Sequence, residues 1–254
     1  MRQGVMRSTT IAGAVLLAAG WILAQTALPA AQGGAAPVNP PRDLTGVWFK
    51  GRPPEGVRQF DGSTWTPGTP PPLSAWGLEQ AKLSRPNNSG EFELHETNDP
   101  VLTKCYPPGT PRVYFHPYPF EFVKTGNAWL QIFEYDHTIR RLFSDGRPLP
   151  EDPDLLWMGT SVGQWVNDHL FEVVTVGFND KTWIDRAGTP HSDQLKVTER
   201  FRRVAYDRLE LEIVMEDPVA LAKPWVAKGY YDLRSEWELG EISCSGDYLE
   251  WPGA

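Results

Sequence analysis

The chain has 254 residues, of which 41% are hydrophobic and 12% aromatic, and a formal net charge of −8 at pH 7. That length fits one domain with an appendage and can bury a sizeable core. An acidic chain without a Lys/Arg run is a poor nucleic-acid binder, and 24 Pro and 23 Gly favour turns and extended segments over long helices.

Residues 1–31 read as an export signal. Arg2 and Arg7 precede the apolar run Ile11–Leu23, and small residues follow to Ala31. Two cleavage sites compete, Ala24-Gln25-Thr26 and Leu28-Pro29-Ala30. The run is short for a membrane span and is broken by Gly13 and Gly20. Cleavage, a periplasmic or secreted product and no stable membrane insertion are therefore expected. Residues 32–42, rich in Pro, Gly and Ala, read as a flexible linker. In an oxidising compartment the two cysteines, Cys105 and Cys244, read as one disulfide, with two buried thiols as the alternative.

Residues 43–254 read as a single β domain whose first part, 43–118, is irregular. Asp43–Lys50 is a first strand, and its Gly46-Val47-Trp48 resembles the G-x-W that opens many lipocalin-like barrels. Ser74 is placed to cap a short helix, AWGLEQAKLSR, which Pro86 would stop. Period-two apolar patterning then predicts three hairpins. Their turns fall at Thr125–Asn127, at Asn167-Asp168 and near Tyr206–Arg208. HTIRRLF adds a strand after the first hairpin, Asp217-Pro218 starts a short helical turn, and PWVAKGYYDLR and WELGEISC read as closing strands. The expected fold is mainly β, an antiparallel, lipocalin-like (calycin-type) meander barrel with a short N-terminal helix.

Several ordered motifs carry a further resemblance. They are Asp43–Trp48, Cys105–Arg112, Glu134–Arg141, Asp145–Pro153, Met158–Trp165, Val176–Ser192, Val197–Arg203 and Glu216–Trp225. In this order the chain resembles a family of exported proteins from soil bacteria of the Acidobacteria type. The resemblance spans essentially the whole mature chain and implies that these polar motifs belong together; it implies no particular activity.

Three groups of residues are candidates for chemistry. Asp185, His191 and Ser192 offer an acid, an imidazole and a hydroxyl, but G-x-S-x-G and its strand–turn–helix setting are absent. Asp185 orienting His191 as a general base or acid is one reading; a loop held by side-chain-to-backbone bonds, Asn179 included, is the other. Glu199 shares a strand face with Val197 and Phe201, where a carboxylate needs a partner. Arg140 and Arg141 are favoured over Arg200, which points the other way, and Glu134 is placed with them as a ligand contact. Trp165 and Trp183 are candidate pocket walls. None of the five His residues has metal-ligand spacing, and no phosphate-binding loop is present, so neither metal nor cofactor is expected.

Two functions follow as expectations. One is an exported binder of a small, partly apolar ligand, held in the barrel cavity and anchored by Glu199 and an Arg, with Glu134, Arg140, Arg141, Asn179, Trp165 and Trp183 as ligand contacts. The other is a cofactor-independent hydrolase, lyase or isomerase using Asp185, His191 and Glu199 for acid–base chemistry.

Overall fold

The computed structural model describes residues 38–60, 66–86 and 97–244. The expected signal, 1–31, and the first part of the linker lie outside the described residues.

Nine strands follow one another around a closed barrel. They are β1 Gly46–Lys50, β2 Phe120–Lys124, β3 Ala128–Phe133, β4 Ile139–Phe143, β5 Thr160–Asn167, β6 Leu170–Val176, β7 Lys196–Ala205, β8 Arg208–Glu216 and β9 Trp225–Leu233, which pairs back onto β1. Two short helices, α1 Ala75–Ala81 and α2 Pro100–Thr103, and a 3-10 turn at Arg112–Phe115 lie between β1 and β2. The three hairpins form where the patterning places them, as β2–β3, β5–β6 and β7–β8.

The barrel departs from a fully antiparallel meander at one seam. β4 and β5 run parallel and pair through only two positions, Leu142↔Ser161 and Phe143↔Val162. A parallel neighbour requires a crossover rather than a tight turn, and residues 144–159 supply it. The expected last strand, WELGEISC, does not form: β9 already closes on β1, so this segment runs outside the wall. There Trp237 packs on Phe49 at 5.2 Å and Ile242 alone makes a bridge, to Tyr135. The Cys105–Cys244 disulfide ties the same segment to the stretch before the 3-10 turn.

Local chemistry explains the helix. Ser74 Oγ accepts from the Gly77 amide at 3.0 Å and donates to the Val219 carbonyl at 2.5 Å, capping α1 and fixing it to the turn after β8. A Cβ on Gly77 would sit 2.3 Å from the Ala220 carbonyl oxygen, so only glycine allows that approach. The helix ends at Lys82, ahead of Pro86.

Strand alternation fills the interior. Trp48, Phe120, Phe122, Trp129, Phe133, Phe171, Phe201 and Tyr231 are fully buried, together with the aliphatic faces of β7 and β8. Gly163 makes room on β5, since a Cβ there would lie 2.4 Å from the Phe171 ring. Trp48 donates its indole N–H to the Leu44 carbonyl at 2.8 Å, and the Arg203 guanidinium stacks over its ring at 5.2 Å. The 3-10 turn contributes Tyr114, whose ring meets Phe120, Phe133 and Phe201. Side chains thus occupy the space in which a lumenal ligand was expected.

Candidate functional site

One sector of the interior is polar. β3 contributes Gln131, β4 Arg140, β5 Ser161, β6 Thr175 and β7 Glu199, all buried. Arg140 grips Glu199 through both terminal nitrogens, Nη1–Oε1 at 2.7 Å and Nη2–Oε2 at 2.8 Å. Its Nη2 also donates to Ser161 Oγ at 2.9 Å, across the β4–β5 seam, and to Thr175 Oγ1 at 3.0 Å. Tyr114 accepts from Arg140 at 2.8 Å and donates its single proton to Glu199 at 2.5 Å. The side chains of Arg140 and Glu199 are 1% and 0% exposed.

The electrostatics follow from this enclosure. Burial, then the Glu199 charge, hold the Tyr114 hydroxyl well above its ordinary range and raise Tyr231 in the same way. Burial opposes charge on Arg140, but Glu199 and Tyr114 together outweigh it and hold the guanidinium above its usual value. In this geometry the ion pair joins strands, and both side chains are enclosed.

The face assignments on the neighbouring residues divide. Glu199 points inward, as its strand face predicts, and of the two favoured arginines it is Arg140 that meets it. Arg141 points outward, exposed, with its guanidinium 5.7 Å from the Phe143 ring. Glu134 also lies outside: the inward face of β3 is Trp129, Gln131 and Phe133, not Leu130 and Ile132. Its carboxylate accepts from the Gly240 amide at 2.7 Å and so holds the C-terminal segment. Trp165 is half-buried and packs on Phe171 at 5.1 Å and Trp129 at 6.3 Å.

The loop after β6 is held from within. Asn179 Oδ1 accepts from the Lys181 amide at 3.1 Å, and Asp185 Oδ1 from the Thr189 amide at 3.1 Å. Burial pushes the Asp185 carboxyl above the usual range, against those hydrogen bonds. Asp185 does not hydrogen-bond His191; the residue that positions the imidazole is Asp217, by way of Ser192. Asp217 accepts from the Ser192 amide at 2.6 Å and hydroxyl at 2.9 Å, and from the Val219 and Ala220 amides at 3.0 and 2.9 Å. His191 then donates Nδ1–H to the Ser192 carbonyl at 3.0 Å, which leaves Nε2 as an acceptor. Burial lowers its pKa, so the ring is neutral at pH 7. Asp185, His191 and Glu199 therefore have separate partners and do not form one constellation.

A second buried ion pair lies under this loop. Arg112 holds Asp99 through Nη1–Oδ1 at 2.9 Å and Nη2–Oδ2 at 2.5 Å, while Asp99 caps α2 through the Val101 amide. The Arg112 guanidinium lies 5.9 Å from the Trp183 ring. Residue spacing did not single out Asp99, Tyr114, Gln131 or Asp217 as contributors. Only Asp217 carried a signal, its helix-capping position before Pro218.

Of the clefts formed by the described residues, two adjoin the candidate residues. One, of about 500 Å³, lies where β4 and the segment before β5 diverge from their short parallel pairing. Ile139, Leu156, Trp157 and Met158 give it apolar walls and Arg141 a cation; Asp136 also lines it, its carboxylate accepting from the Cys244 amide at 3.2 Å. The other, of about 320 Å³, lies between α1, α2 and the loop, and is lined by Trp76, Gln80, Lys104, Asp180, Trp183 and His191 among others. Among the described residues no group of three or more His, Cys, Asp and Glu side chains is arranged to hold a metal ion.

No protein-family model, no curated protein and no solved structure matches this chain.

Proposed function

We propose that the protein is exported and binds a small, partly apolar anion in the cleft at the β4–β5 seam. The observation that carries this reading is the cleft's composition. Two of its apolar side chains, Ile139 and Leu156, are exposed around an unburied guanidinium, that of Arg141. Binding sites combine apolar walls with a few placed polar groups in this way. Arg141 would fork a carboxylate or sulfonate while the apolar body packs against Ile139 and Met158.

Two sequence features support the same reading. The motifs Asp145–Pro153 and Met158–Trp165, which carry the resemblance to exported soil-bacterial proteins, border this seam and the adjoining groove of about 470 Å³. The disulfide and the N-terminal signal pattern both fit export. The filled lumen favours a site on the barrel wall over one inside it. An acid–base enzyme would have to rely on His191 without Asp185 or Glu199, which makes it the weaker reading.

The test is titration with 1-anilinonaphthalene-8-sulfonate, an apolar anion, alongside native mass spectrometry for co-purifying small molecules. Arg141→Ala should weaken probe binding roughly tenfold, the loss of one charge-assisted contact. Unchanged affinity in Arg141→Ala and in Ile139→Asp would refute the seam as the site.

A further inference from the structure

The cleft beneath α1 has a composition quite unlike the seam. Trp76 stands on its wall with 40% of its surface exposed, although it sits on a helix whose neighbours Leu73 and Gly77 pack inward. Trp183 forms a second indole wall, backed by the Arg112 guanidinium. Around the two indoles are an amide (Gln80), a carboxylate (Asp180), an imidazole (His191) and two lysines whose ammonium groups lie over neighbouring rings, Lys104 over Tyr106 at 5.5 Å and Lys181 over Trp157 at 5.8 Å.

His191 is the decisive group. It is only 6% exposed, yet it lines the cleft. Its Nδ1 is committed as a donor to the Ser192 carbonyl, and among the described residues nothing donates to Nε2. The Asp217 carboxylate fixes Ser192 through both its amide and its hydroxyl, so the imidazole is presented in one orientation. An acceptor held in one orientation on a residue that lines a cleft suits a ligand that brings an O–H or N–H donor.

We infer that this cleft is a saccharide-binding site. A pyranose ring has a face of C–H bonds that stacks on an indole, and hydroxyls at its rim that both donate and accept. Trp76 and Trp183 supply the stacking surfaces. Nε2 of His191 accepts from one hydroxyl, and Gln80, Asp180 and Lys181 are placed to serve others. Two ammonium groups against one carboxylate favour an acidic sugar over a neutral one. A purely apolar ligand would leave Nε2 and Asp180 without partners and is disfavoured by the cost of burying them so.

Lys181 of this cleft lies over Trp157 of the seam cleft, and the experiment separates the two sites. Saturation-transfer NMR is performed on the mature chain with a panel of disaccharides: gluco-, galacto- and manno-configured, N-acetylated, and glucuronate-containing. Transfer is expected to the ring C–H protons of at least one sugar, strongest for the uronate. Trp76→Ala removes an exposed side chain, should leave the circular dichroism unchanged, and should weaken binding roughly tenfold. His191→Phe should do the same by deleting the acceptor, and Arg141→Ala should have no effect. No transfer to any sugar of the panel, or transfer that Trp76→Ala leaves intact, would overturn the inference.

Discussion

Inside the barrel, Glu199 meets Arg140 in a two-pronged pair whose remaining hydrogen bonds go to Tyr114, Ser161 and Thr175. In the loop after β6, His191 is almost as deeply buried, but one of its two ring nitrogens is held by the protein and the other lines a cleft. Both regions bury ionisable groups at a cost. The interior recovers most of that cost through mutual satisfaction and becomes architecture, although Arg140 Nε, Gln131 Nε2 and the Tyr231 hydroxyl are buried there without a partner. The loop recovers it only in part, and the group left over can be read by a ligand. For buried polar residues, whether an atom left over belongs to a side chain that lines a cleft is a better guide to function than the type of residue.

The largest expected effect is on the interior. Glu199→Gln leaves the Arg140 guanidinium uncompensated and should cost about 3–5 kcal/mol in urea unfolding. The double change Glu199→Leu with Arg140→Met should recover much of that loss, because apolar replacements of a buried pair are often neutral or better. Were Glu199→Gln instead to abolish ligand binding in protein that is still folded, the division between architecture and function would fail.

A smaller effect is expected where the loop is anchored. Asp217→Asn removes the charge that gathers the Ser192, Val219 and Ala220 donors and should cost about 1.5–3 kcal/mol. It should also loosen His191, so saccharide binding should weaken while probe binding at the seam stays as it was.

The next effect is in the pH response. Burial holds His191 below its ordinary 6.5. As pH falls past 6.5 the unfolded chain takes up the proton first, so the stability from the neutral ring is complete above that pH and declines below it. His116 is lowered in the same direction, chiefly by burial and then by Arg112. His191→Gln should flatten the fall in unfolding free energy between pH 7 and 5.5 by up to about 1.4 kcal/mol per pH unit. An identical slope in wild type and variant would show that His191 titrates freely.

The smallest effect on stability belongs to Trp76→Ala. An exposed indole contributes little to the fold, and the change should stay within about 0.5 kcal/mol in thermal or urea unfolding. A larger loss would move Trp76 from the ligand surface to the core.

The hairpins and the inward face of β7 could be read from the sequence because period-two alternation is a local signal. Parity put Glu199 inside and left its partner as Arg140 or Arg141, but the same counting on β3 put Glu134 on the wrong side. That segment alternates Trp129, Leu130, Gln131, Ile132, Phe133, and with both faces mostly apolar nothing local tells inside from outside. The parallel seam was hidden because strand direction depends on the path of residues 144–159, which read only as turns. The 3-10 turn at Arg112–Phe115 is too short to show a period, so the insertion of Tyr114 had no sequence signal. Closeness in sequence suggested Asp185 as the partner of His191, whereas the controlling acid, Asp217, lies beyond two further strands.

The position of the polar sector acquires a meaning from the seam. Two backbone pairings are a thin closure for a barrel whose other strands are joined by longer ladders. Arg140 on β4 reaches across to Ser161 on β5 and on to Glu199 on β7, so side chains supply the stitching that the main chain lacks there. A cylinder fastened in this way has a preferred line along which to unzip. Its amides near Ile139–Phe143 and Thr160–Val162 should be the first of the wall to trade hydrogen for deuterium, and the charge pair sets how often that line opens.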